Sequence, residues 1–176
     1  MSAQAAHGEG ELMSGAEALG VVLASQRVIV DAMLALAQRQ QDAIVAGDVE
    51  ALTGVVDEQQ QMVDHLNSLE TERMTALVAI ATAIGLDDAG RLTLTEVAAA
   101  LPQAQGAALA AQGHALRAQA EALRQAQDLN ERLLERSRAL VDRWLQYLRT
   151  LLSGSLYTAS GATGDLPGGR ALDRSA

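Results

Sequence analysis

Residues 103–152 read QAQGAALAAQGHALRAQAEALRQAQDLNERLLERSRALVDRWLQYLRTLL, a stretch that follows Pro102 and holds no proline itself. From Leu116 one seam runs through Leu116, Ala120, Leu123, Gln127, Asn130, Leu134, Ser137, Val141, Trp144, Leu148 and Leu151. Its steps alternate between three and four, the spacing that keeps side chains on one face of an α-helix. At 1.5 Å per residue, an unbroken helix of this span is roughly 70 Å long. Such a helix cannot bury its stripe alone, so the preceding residues are expected to pack against it. Gly106 and Gly113 weaken its first turns, and Ser153-Gly154 is expected to end it. Gln127 and Asn130 stand mid-seam, where a polar side chain usually specifies register or orientation. A second stripe of Ala126, Leu133, Leu140 and Tyr147 lies beside the first. The C-terminal half is therefore apolar over more surface than one neighbouring helix covers.

Two long helices are expected before it. The first carries the seam Leu12, Ala16, Leu19, Leu23, Gln26, Val30, Met33, Ala37, Gln40 and Ile44, widened by Val22, Ile29 and Leu36. Ala46-Gly47-Asp48 breaks the pattern, with Gly47 suited to a left-handed C-cap and Asp48 to an N-cap. A connection this short folds the next helix back antiparallel. That second helix runs from about Val49 to Ile84, with a seam through Leu52, Val55 or Val56, Gln59, Met62 or Val63, Leu66, Leu69, Arg73, Ala76 or Leu77, and Ile80. Thr93-Leu-Thr-Glu96 has the form of a capping box and opens a short helix that Leu101-Pro102 terminates.

The expected fold is all-α: an antiparallel bundle of three long helices, with a short helix before the third and disordered termini. Residues 1–11 read as a flexible lead, 12–152 as the helical domain, and 153–176 as a flexible tail with a Leu-Tyr motif.

Composition excludes several classes of function. The formal net charge is −9, and all 13 basic residues are arginine. An acidic chain lacks the basic stripe that a phosphate backbone or an anionic bilayer requires, so neither nucleic acid nor membrane insertion is expected. There is no cysteine, which removes disulfides, thiolate metal sites and thiol nucleophiles. The longest continuous apolar segment, Ala76 to Leu86, is about half a membrane span. The N-terminus lacks the basic region and apolar run of a secretory signal, so a cytoplasmic location is expected.

No catalytic constellation emerges, and neither a metal nor a cofactor is expected. His7, His65 and His114 are isolated from one another. Asp64-His65 lacks a further ligand four residues on and reads as solvated surface. Asp128 with Arg132, and Arg138 with Asp142, are spaced as helix-surface ion pairs. What remains is a binding surface. Trp144, Tyr147, Leu148 and Leu151 lie within two turns on one broad face, either as core against the other helices or as a groove for a partner. Leu156-Tyr157 stands among Gly, Ser and Ala and is either inert or a short anchor for a partner's pocket.

In order, the Ala-Gly-Asp turn at 46–48, Leu66-Asn-Ser-Leu-Glu-Thr-Glu-Arg73, Thr93-Leu-Thr-Glu-Val97 and Asp128-Leu-Asn-Glu-Arg-Leu-Leu-Glu135 with Leu156-Tyr-Thr-Ala-Ser-Gly161 resemble the FlgN family of flagellar type III export chaperones. The resemblance spans about residues 12 to 161 and keeps Asn130, Leu133, Leu134, Tyr157 and Gly161 of the family's C-terminal pattern. It departs at Gln127, where the family has a first asparagine. It implies a cytoplasmic chaperone without ATPase activity that holds hook–filament junction proteins before export, prevents their premature assembly and escorts them to the export gate. The implied client site clasps an amphipathic segment near the client's C-terminus through Leu133, Leu140, Val141, Trp144, Tyr147, Leu148 and Leu151. Leu156 and Tyr157 match the tail implicated in docking to the export gate's cytoplasmic domain. The alternative is a structural, self-associating helical coiled coil or adaptor; the sequence sets no oligomeric state.

Overall fold

The computed structural model describes the backbone of residues 2–160 and the side chains of residues 8–151. The described residues are all-α, in the order α1 (Ser2–Ala46), α2 (Val49–Ile84), a 3-10 turn (Ala89–Arg91), α3 (Leu94–Ala100) and α4 (Gln103–Ser160). By compactness the chain divides into two units, Met1–Leu133 and Leu134–Ala176.

Two helix ends differ from the sequence expectation. The first helix begins at Ser2, not near Leu12. Ser-Ala-Gln-Ala-Ala is strongly helix-compatible and contains nothing that stops a helix, so the flexible lead expected over 1–11 is helical backbone from residue 2. The third long helix passes Ser153-Gly154 and continues to Ser160. A lone glycine costs a helix only about 1 kcal/mol relative to alanine, and no proline follows it closely enough to force a stop. The remainder of the expected tail, from residue 161, lies outside the described residues, as do the side chains of Leu156 and Tyr157.

The turns in the first unit follow from side-chain chemistry. Gly47 adopts φ 69°, which an L side chain resists, and Asp48 accepts the Ala51 N–H at 2.9 Å to cap α2. At the other end of α2 the Gly85 N–H donates to the Ala81 and Thr82 carbonyls. Asp88 accepts from the Gly90 N–H at 3.0 Å and shapes the 3-10 turn. The capping box is complete: the Glu96 N–H donates to Thr93 Oγ1 at 3.2 Å, and the Thr93 N–H donates to Glu96 Oε2 at 2.8 Å. The Thr93 N–H and the Thr93 hydroxyl, which donates to the same oxygen at 2.7 Å, hold the Glu96 carboxyl below its ordinary range.

Contacts along the helices give their directions. Arg39 pairs with Glu58, Gln59 donates to Gln40, and Gly15 abuts Ile80, so residue numbers rise on α1 as they fall on α2. Against α4 the numbers rise together. Gly20 faces Leu109, Arg27 donates to Gln119 at 3.3 Å, and Asn130 donates to the Ala37 carbonyl at 2.8 Å.

The main apolar core gathers Leu19 and Leu23 of α1, Leu77 and Ile80 of α2, and Leu92, Val97, Leu101 and Leu109 from the segment that follows. Farther along, Val30, Met33, Leu36, Ile44 and Val55 are buried. The α1 seam is buried or half-buried throughout. Of the paired options on α2, Val55 is buried and Val56 exposed, Met62 is half-buried and Val63 exposed, and both Ala76 and Leu77 are buried.

A longer apolar window than Ala76–Leu86 lies in α1, over Gly8–Ala46, long and apolar enough by composition to cross a membrane. Isolated charges such as Glu17, Arg27 and Asp31 hide it from a search for uninterrupted runs. Its large seam residues pack into the core just described.

Gly106 has a packing role that helix propensity alone does not show. A Cβ there would run into the Ala98 carbonyl of α3. Because backbone blocks that space, Gly106→Ala is expected to push α3 away from α4 and lower stability by about 1–3 kcal/mol, despite alanine's better helix propensity. Urea denaturation checks this; a stabilised variant would remove the close-approach argument.

Candidate functional site

The α4 seam keeps its spacing beyond Asn130, but burial does not follow it. Leu123 and Gln127 are half-buried, Asn130 is 2% exposed, and Leu133 is half-buried. All of these belong to the first unit.

In the second unit every described side chain from Leu134 to Leu151 is exposed. Trp144 is 58% and Tyr147 57% exposed, and Leu140, Val141, Leu148 and Leu151 are each close to half exposed. The expected client-binding set is thus divided: Leu133 lies in the first unit, and the other six lie together on one helix face of the second. Leu156 and Tyr157, expected to dock to the export gate, fall on α4, with side chains outside the described residues.

The face has local shape. The Trp144 and Tyr147 rings meet edge to face, with centroids 6.2 Å apart and planes at 87°. This arrangement suits aromatic quadrupoles and keeps both rings against the helix. Leu140, Arg143, Trp144 and Tyr147 line an open groove of about 250 Å³. Leu134 and Leu145, also exposed, extend the same face. Sequence reasoning placed Leu134 on the seam without assigning it to the site, and it missed Leu145 at the stripe's edge; counting apolar residues around the helix, not along one seam, would have found both.

The first unit has a larger open groove of about 790 Å³ between α1 and α4, lined by small side chains such as Ser14, Ala16 and Ala108 together with Met13, Leu101 and Leu109. It brings together no charged cluster. Among the described residues no group of three or more His, Asp or Glu could hold a metal ion. His65 is exposed, and Asp64 accepts a hydrogen bond from Gln60 at 3.1 Å.

Ion pairing on α4 departs from the spacing read in the sequence. Arg124 bridges Glu121 and Asp128, each at 2.8 Å, so Asp128 is engaged toward the N-terminal side and not with Arg132. Hydrogen bonding from Arg124 holds the Glu121 carboxyl down at about 2. Arg138 and Asp142 do not form the expected pair; among the described residues neither has a hydrogen bond or salt bridge.

The described residues are all-α and present an exposed apolar helix face, the kind of surface by which a binding protein holds a partner. The comparisons agree with that class. The family model described as FlgN protein matches residues 13–164, and the chain belongs to the FlgN family. Membership implies a general role as a flagellar export chaperone. Neither curated proteins nor solved structures gave a match.

Proposed function

We propose that this protein is a cytoplasmic export chaperone that binds the C-terminal amphipathic segment of hook–filament junction proteins, prevents their premature assembly and delivers them to the type III export gate. The client lies along Leu133, Leu140, Val141, Trp144, Tyr147, Leu148 and Leu151. The three long helices form an antiparallel bundle. Leu156 and Tyr157 engage the cytoplasmic domain of the export gate, leaving the client face to the client.

One observation carries the reading: the heptad-like seam continues through Trp144, Leu148 and Leu151 after burial has ended at Asn130 and Leu133. An apolar stripe of this size left in water costs free energy that a helical partner recovers by covering it. The family's chaperone role supplies the kind of partner.

The test uses purified hook–filament junction protein and three forms of this chain: wild type, Tyr157→Ala, and a chain ending at Leu134. Wild type and Tyr157→Ala are expected to retain the junction protein, and the shortened chain to lose it. Equal retention by the shortened chain would move the client site into the first unit.

A further inference from the structure

We infer that the partner segment seated on Leu134–Leu151 is an amphipathic helix whose apolar stripe is bordered on both sides by Asp or Glu. The inference rests on the client-binding reading and adds the partner's charge pattern. Between Leu134 and Leu151 there are four arginines and two carboxylates, in a chain whose formal net charge is −9. Their placement matters more than their number. At 3.6 residues per turn the apolar residues cover an arc of about 160° centred near Trp144. Arg136 and Arg143 fall along the border beside Leu140 and Tyr147. Arg138 and Arg149 fall along the opposite border beside Leu145. Glu135 and Asp142 lie on the back of the helix, away from Trp144.

Among the described arginines of the first unit, Arg39, Arg73 and Arg124 each hold a carboxylate of their own chain at 2.6–3.0 Å and Arg27 donates to Gln119, while Arg91, Arg117 and Arg132 have no side-chain hydrogen bond or salt bridge. Arg136, Arg138 and Arg143 have no hydrogen bond or salt bridge among the described residues, although Glu135 and Asp142 are near them in sequence. Arg143 also forms one wall of the groove with Leu140, Trp144 and Tyr147. A guanidinium at the margin of an apolar strip can fold its stem over the strip while its head meets an incoming carboxylate.

This pattern selects among occupants. A second copy of the same face would set arginine against arginine along both borders, whichever way the helices run. An anionic bilayer presents an extended plane of charge to the whole acidic chain, which it repels. A single helix with acidic margins presents its charge only within a Debye length of the arginines.

The test measures binding of synthetic helical peptides to the full chain through Trp144 fluorescence, the chain's only tryptophan. The peptides share one leucine stripe and carry Glu, Gln or Lys along both margins. The Glu peptide is expected to bind about tenfold tighter than the Gln peptide at low salt, with the gap closing as salt rises. The Lys peptide should be weakest. In the variant Arg136→Glu/Arg138→Glu/Arg143→Glu that order should invert. If all three peptides bind wild type equally, the charge inference fails and the client-binding face stands. If none binds, the face itself is misread. Vesicles of phosphatidylcholine with phosphatidylserine that bind wild type but not the triple variant, and outcompete the Glu peptide, would assign the margins to a lipid surface and overturn the inference. The peptide exchange decides the question even if the triple variant loses helicity.

Discussion

Asn130→Asp is expected to destabilise the first unit more than Asn130→Ala does, although aspartate is nearly the same shape as asparagine. Asn130 is 2% exposed, and its amide nitrogen donates to the Ala37 carbonyl at 2.8 Å and to Gln40 Oε1 at 2.9 Å. Gln59 donates to the same Gln40 oxygen at 3.3 Å, so one polar chain ties α4 to α1 and α1 to α2. Alanine removes the two bonds and leaves a small void, at about 2–3 kcal/mol. Aspartate puts a buried charged acceptor against two acceptors, at about 3–5 kcal/mol. Burial without a donor raises the folded-state pKa of that aspartate above its unfolded value. The penalty is therefore full at neutral pH and shrinks as pH falls through the raised pKa, because the protonated acid can donate one bond. Urea unfolding at neutral pH and again near pH 4, about the ordinary aspartate pKa, checks both statements. If the aspartate variant equals wild type at neutral pH, the polar chain contributes nothing to holding the helices together.

The same residue shows what the sequence carries and where it stops. A polar side chain on an apolar seam signals register, and Asn130 does bond across helices. Gln127, equally marked by its seam position, is only half-buried. Nothing in the spacing of the two separates them; that depends on which α1 carbonyl lies opposite.

Elements fixed by local chemistry were legible. Asp48, the Gly47 turn and the Thr93–Glu96 box each work through bonds spanning three or four residues, so their sequence is enough. Gly106 was legible only as a weak helix former, because the Ala98 carbonyl that demands a glycine belongs to another helix. The end of burial on α4 was not legible at all. Leu116 to Leu151 repeats one pattern, and a seam spells the same residues whether its neighbour is in the chain or still to arrive. The Asp128 pair was misread for a related reason: Asp128 had two arginines in reach, Arg124 and Arg132, and spacing alone does not choose between them.

That ambiguity sets up the second large effect. Trp144→Ala/Leu148→Ala is expected to weaken binding of a hook–filament junction protein about a hundredfold or more while leaving the melting temperature unchanged. Both side chains are close to half exposed or more in the free chain, so little packing is lost on truncation. In the proposed complex each is covered, and burying a side chain of this size contributes about 1.5–3 kcal/mol. Central aromatic anchors also exceed their area when the rim excludes water, so the tryptophan should carry the larger share. The edge-to-face contact with Tyr147 is lost as well, freeing that ring from its position beside the groove. Titration calorimetry with purified client, paired with a circular-dichroism melt, separates the outcomes. Lost binding with an unchanged melt is the behaviour of an open docking face. Lost binding with a melt lowered by several degrees would mean that Trp144 packs against its own chain in solution, and the aromatic face would then be core.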